Sequence, residues 1–105
     1  MDQLAVRERL TRDQPTQYQQ QLLEANRLAR QGEGDRAYAR YAAFASTLTE
    51  SGEWHHAITV YRIALTLTEL PVGIRRELHQ RLARLYGLIG FEVDADAHAS
   101  LAHQE

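Results

Sequence analysis

The chain has no cysteine and no lysine. Without cysteine there is no disulfide, no thiolate nucleophile and no cysteine-ligated zinc. Without lysine, all 12 basic side chains are arginines. They form a surface of planar guanidinium forks suited to carboxylates and aromatic faces. An arginine-only set of cations is also the composition expected of a high-GC bacterial genome. Glycine and proline are scarce, at 6 and 2, so disorder is not expected away from the ends. No apolar run approaches the ~20 residues that span a bilayer. Met1-Asp2-Gln3-Leu4 lacks the basic-then-apolar order of a signal peptide. A cytoplasmic location is expected. An excess of positive charge is missing too, since the formal net charge is −2, which is no nucleic-acid footprint. No stretch alternates with the two-residue period of a half-buried strand.

What remains is helical. A chain of 105 residues is one domain and buries roughly 60–65% of its unfolded surface. Its breakers, at Gly32 and Gly34, Gly52, Pro71 and Gly73, and Gly90, divide it into helix-sized pieces. A short helix is expected over 2–12, with Asp2 as cap and Leu4 and Leu10 inward. Asp13-Gln14-Pro15 then stops and restarts the chain. The next helix, about 15–31, turns Tyr18, Leu22, Ala25 and Leu28 to one side, and Gln17, Gln19, Gln20 and Gln21 read as a solvated face. Gln31-Gly32-Glu33-Gly34-Asp35 reads as a C-cap followed by an N-cap. A helix over about 35–50 has Ala37, Tyr41, Phe44, Ala45 and Leu48 inward. Ala39, Ala42, Ala43 and Ser46 on its other face would let it sit close to neighbours on two sides. The clearest amphipath is about 53–69, where Trp54, Ala57, Ile58, Tyr61, Ala64, Leu65 and Thr68 follow the 3–4 spacing. A helix over about 72–89 has Leu78, Leu82, Leu85, Tyr86 and Ile89 inward. The last, about 92–103, aligns Ala95, Ala99 and Ala102. Gly52 and Gly90 stand 38 residues apart, and so do Ala45 and Ala83, Ala57 and Ala95, Ala64 and Ala102.

Candidate chemistry is sparse. Metal-binding histidines on one helix stand three or four residues apart so that both face one way. His55 and His56 are adjacent, and His98 and His103 are five apart, so both pairs diverge. These four and His79 read as solvated or interfacial. Glu92, Asp94 and Asp96 open the last helix, where negative charge complements the helix dipole. Arg75, Arg76, Arg81 and Arg84 gather on one helix, with Glu77 and Arg81 at the favourable i,i+4 spacing. Gly32-Glu33-Gly34 follows no strand and is no phosphate cradle. Ser46, Ser51 and Ser100 have no nucleophile motif around them. The expectation is a non-enzymatic chain with no metal and no cofactor.

Tyr41-x2-Phe44-Ala45-x2-Leu48, then Gly52, then Ala57-x3-Tyr61-x2-Ala64 resembles the two helices of a tetratricopeptide repeat. A weaker second copy runs His79-x2-Leu82-Ala83-x2-Tyr86, Gly90, Ala95-x3-Ala99-x2-Ala102. The family period is 34, and the four additional residues here follow Ala64. The same alanines also fit a generic antiparallel bundle. The resemblance implies an all-α fold, with antiparallel helical hairpins in a short right-handed array of about five to six helices. The single domain, 1–105, would comprise an arm or helix (1–14), a leading helix (15–34) and two repeats (35–70 and 71–105).

The resemblance also implies a scaffold. Its first helices would line a concave groove for a partner helix or peptide. That reading makes the chain an adaptor, scaffold or chaperone-like module, with Ala42, Ser46, Glu77, Gln80, Arg81, Arg84 and Leu88 as partner-binding residues. The residues with which family members clamp chaperone C-terminal carboxylates are absent, replaced by alanines and Ser46. A partner with an acidic face fits the arginine wall. A homodimer is expected because a short array leaves apolar end faces. Nucleic acid and membrane are not expected partners. The alternative is a ligand-sensing or regulatory helical domain of a bacterial signalling system, which would need a large enclosed pocket.

Overall fold

Residues 16–104 of the computed structural model form five helices. They are α1 (Gln17–Arg30), α2 (Gly34–Glu50), α3 (Trp54–Ala64), α4 (Val72–Leu88) and α5 (Glu92–Gln104). No strand occurs among the described residues. The fold is an all-α array of antiparallel hairpins. The helix expected over 2–12, with Asp2, Leu4 and Leu10, lies outside the described residues.

Three of the four joints share one device. Gly32, Gly52 and Gly90 have φ of 78°, 78° and 83°. After each, a backbone N–H reaches back to a carbonyl five residues earlier: Glu33 to Leu28 at 3.0 Å, Glu53 to Leu48 at 2.9 Å, Phe91 to Tyr86 at 2.8 Å. This is the Schellman ending, whose left-handed residue carries no Cβ penalty when it is glycine. A Cβ at any of the three would meet nothing within 4 Å. The backbone dihedral, rather than crowding, therefore calls for glycine. Because Gly32 makes the same turn as Gly52 and Gly90, the glycine joint is a general hairpin device and does not mark a repeat phase. Asp35, expected as an N-cap, sits inside the first turn of α2. The cap is Glu33, which makes no side-chain capping bond.

Helix α1 starts at Gln17 because Thr16 caps it. The Thr16 hydroxyl accepts from the Gln19 N–H at 3.1 Å, and Gln19 Oε1 accepts from the Thr16 N–H at 2.9 Å. This is a reciprocal capping box. Gln19 therefore has a structural task, unlike the solvated glutamine expected there.

The α3–α4 joint is different. The amphipathic pattern extends to Thr68, yet α3 ends at Ala64. The Thr66 hydroxyl donates to the Ile63 carbonyl at 2.6 Å, a local bond that competes with the helical ladder. Glu69 then takes a left-handed φ of 63°, and Pro71 occupies the N-cap of α4. Thr68, expected inward, is exposed, whereas Leu67 and Leu70 fold back against the core.

Each helix packs on the next in chain order, giving a layer of 57 × 36 × 18 Å. Helix α3 sits between α2 and α4 and buries five of its eleven residues: Ala57, Ile58, Val60, Tyr61 and Ala64. Val60 lies outside the single apolar stripe read from sequence. It is fully buried because a helix flanked on two sides buries a wider arc. Helix α2 also has a neighbour on each side, α1 and α3. It buries Ala37, Tyr41, Ala45 and Leu48, leaves Ala42 and Ser46 half-buried, and exposes Ala39 and Ala43. The main core cluster is drawn from α1 to α4; α5 adds half-buried Ala95 to its margin and buries Ala102 apart from it.

Candidate functional site

The end of α2, the start of α3 and one face of α4 enclose an open groove of about 460 Å³. Thr49 and Glu50 form its α2 edge, Trp54 and Tyr61 its floor, and Arg81, Arg84 and Leu88 its α4 wall. The Gly52 joint brings Trp54 back beside Thr49, and the Trp54 Nε1–H donates to the Thr49 carbonyl at 3.3 Å. With its polar atom satisfied, the half-buried indole offers apolar surface.

The two arginines of the wall differ. Arg81 Nε and Nη2 donate to Glu77 Oε1 at 3.2 and 2.8 Å, and Nη1 lies 3.4 Å from the Tyr61 hydroxyl. The bond it donates to Glu77 holds the Arg81 guanidinium above its ordinary pKa, burial opposing. Arg84 makes no hydrogen bond or ion pair among the described residues. One turn on, Leu88 is 47% exposed. Tyr38 on α2 lies within electrostatic reach of the same wall. Burial first, then the Glu77 carboxylate, raise the pKa of its hydroxyl, and Arg81 opposes them.

The partner-binding residues read from sequence separate into groups. Arg81, Arg84 and Leu88 share the groove. Glu77 is half-buried and engaged by Arg81. Gln80 lies elsewhere, in a depression of about 440 Å³ with Ala83 on α4 and Ala99 on α5. At 100° per residue it is turned a quarter of the way round the helix from Arg81. Ala42 and Ser46 are half-buried on α2 and are not among the residues lining the groove. Sequence reasoning missed Glu50, and read Trp54 and Tyr61 as core alone. The available signal was position: Trp54 opens its helix straight after the Gly52 turn, where coverage by neighbours is thin.

The histidines also divide. His55, His56 and His103 are exposed, as solvated side chains should be. His79 is 8% exposed and faces half-buried His98 across the α4–α5 seam, with 2.9 Å between their Nδ1 atoms. Spacing along one helix does not find this pair, because it forms across a hairpin. No group of three or more histidine, aspartate or glutamate side chains among the described residues is placed to hold a metal. Glu92 and Asp94 occupy the first turn of α5, where the helix dipole favours them. No described helix is long and apolar enough to cross a membrane. No protein-family model, curated protein or solved structure matches the chain.

Proposed function

We propose that this chain is a non-enzymatic protein-interaction module, of the adaptor, scaffold or chaperone-like kind, that takes a partner helix or peptide in the α2–α3–α4 groove. The observation that carries this reading is Arg84, a cation with no described partner, standing between the Trp54 floor and exposed Leu88. An apolar floor beside an unsatisfied guanidinium suits a ligand with one apolar anchor and one carboxylate. The tetratricopeptide-like spacing of Ala57, Tyr61 and Ala64 is compatible with such a role, since arrays of that kind use their grooves for binding. Homodimerisation through the apolar end of the array belongs to the same reading. The ligand-sensing alternative has less support: the groove and the Gln80 depression are both open to solvent, and a sensor calls for an enclosed pocket.

The test is affinity capture with the chain and with an Arg84→Glu, Leu88→Glu double variant, side by side. A protein retained by the first and lost by the second is the expected result. Equal retention by a folded variant moves the contact surface elsewhere.

A further inference from the structure

Helix α5 lies along α4, the most extensively packed helix pair of the array, yet most of the side chains it brings to that seam are small. Its contact stripe on α4 is Ala95, His98 and Ala102, of which only His98 has a large side chain. His98 enters the surface of α4 between His79 and Tyr86, two turns apart or about 10.5 Å along the axis. Its ring meets the His79 ring edge to edge through their Nδ1 atoms, with centroids 5.1 Å and planes 27° apart, and lies 5.4 Å and 8° from the Tyr86 ring. Phe91 continues the stack from Tyr86 at 6.2 Å. Tyrosines aside, His79 is the one buried side chain with polar atoms among the described residues.

The bond between the two histidines obeys a proton rule. Two ring nitrogens 2.9 Å apart need one hydrogen between them. A neutral pair meets this when one ring carries its hydrogen on Nδ1 and the other on Nε2. One added proton still leaves a single N–H facing a lone pair. A second does not: both Nδ1 atoms then carry hydrogens, and two imidazolium charges face each other in a seam with little water to solvate them.

The surrounding charges set the direction. Burial does most to hold His98 below the ordinary histidine value, and a charge on His79 works the same way. Asp94, one turn earlier on α5, opposes them, and Arg62 on α3 adds to the lowering. Tyr86 brings a neutral ring. A histidine with a lowered folded pKa binds its proton more readily once released. Its contribution to the seam is therefore complete above about pH 6.5 and is lost as pH falls through the folded value.

We infer that the His79–His98 pair is a proton-operated latch: in neutral solution it holds α5 on α4, and a proton on both rings releases α5 while α1 to α4 stay folded. The division is possible because the core cluster takes its buried residues from α1 to α4 alone. Release uncovers the α4 face that carries Ala83 and Tyr86, so an apolar surface is created in acid and withdrawn at neutral pH.

Nuclear magnetic resonance of the full chain between pH 8 and 5 tests this. The expected result has the His98 ring signals titrating below the ordinary histidine value. Over the same interval the α5 amides move to random-coil positions while those of α2 and α3 do not. Each proton taken up on release raises the open-to-closed ratio of α5 by about tenfold per pH unit. A His79→Phe, His98→Phe double variant fills the seam with rings that take no proton, and its α5 should remain helical at pH 5. Wild-type α5 amides that keep helical positions down to pH 5 overturn the latch, whether or not the variant folds. Release of α5 in the Phe variant overturns it as well, by assigning the acid response to other groups.

Discussion

The Arg81 guanidinium ties α4 to α3, with Nη1 3.4 Å from the Tyr61 hydroxyl while Nε and Nη2 hold Glu77. Arg84, in the same wall, has no such task among the described residues. The structural pairing thus falls to Arg81 and not to Arg84, three residues on.

Arg84→Glu should therefore leave stability within about 0.5 kcal/mol of the parent chain. Arg81→Glu should cost about 1 kcal/mol, because it removes the Glu77 pair and sets two carboxylates at i,i+4. Urea unfolding of both variants separates the roles. A loss above about 2 kcal/mol for Arg84→Glu would make that residue structural. Binding of a partner through this wall should also weaken as salt rises.

Ala57 and Ala64 are both 0% exposed, with Tyr61 between them at 2%. The two alanines allow a close helix crossing that a larger side chain would force apart. Ala57→Leu should cost roughly 1–3 kcal/mol. An unchanged urea midpoint would show that the neighbouring helix yields without strain.

Gly87 and Gly90 should respond to alanine in opposite directions. A Cβ meets nothing within 4 Å at either position, so only the backbone differs. Gly87 is exposed near the end of α4 with a helical backbone, and Gly87→Ala should stabilise by about 0.5–1 kcal/mol. Gly90 has φ 83°, and Gly90→Ala should destabilise by about 1–2 kcal/mol. Thermal melts of the two variants, shifted in opposite directions, are the expected outcome.

The Tyr41 hydroxyl donates to Asn26 Oδ1, joining α2 to α1. Burial raises its pKa, with Arg30 opposing. A raised folded value means that the folded chain keeps the phenolic proton more tightly than the unfolded one. Its contribution is whole below about pH 10 and is lost as the pH climbs through the folded value. Tyr41→Phe should cost about 1 kcal/mol at neutral pH and reduce the alkaline loss of stability. Urea unfolding of parent and variant at pH 7 and 10.5 reads both effects.

Phe91 and Val93, 51% and 84% exposed, stand at the start of the terminal helix, close in sequence to exposed Leu88. A homodimer formed through this end should appear in sedimentation at high micromolar concentration, and Val93→Glu should shift it to monomer. A parent chain that sediments as a monomer at that concentration removes the dimer from the reading.

The helical class and most of the joints were legible in the sequence because their causes are local. Glycines at left-handed turns and apolar residues spaced three and four apart act within a single turn of chain. Ala57, Tyr61, Leu78, Leu82 and Leu85 are buried as their spacing requires. The early end of α3 was less legible, because the pattern through Leu65 and Thr68 is helical in period. A threonine–carbonyl bond and a left-handed Glu69 end it.

Of the groove, Arg81, Arg84 and Leu88 could be gathered from one helix face, because i, i+3 and i+7 are neighbours by construction. Trp54, Glu50 and Tyr61 joined them only through the packing of α3 between α2 and α4.

The sequence by itself determined that the chain is helical, where its glycine joints fall and which stripes are apolar, since these follow from dihedral preference and period. Tertiary structure alone decided that Val60 is buried, that Glu50 and Trp54 join the arginine wall, and that His79 meets His98. Each of these depends on which helix lies alongside, and that is set by the summed packing of the array rather than by any local stretch of chain.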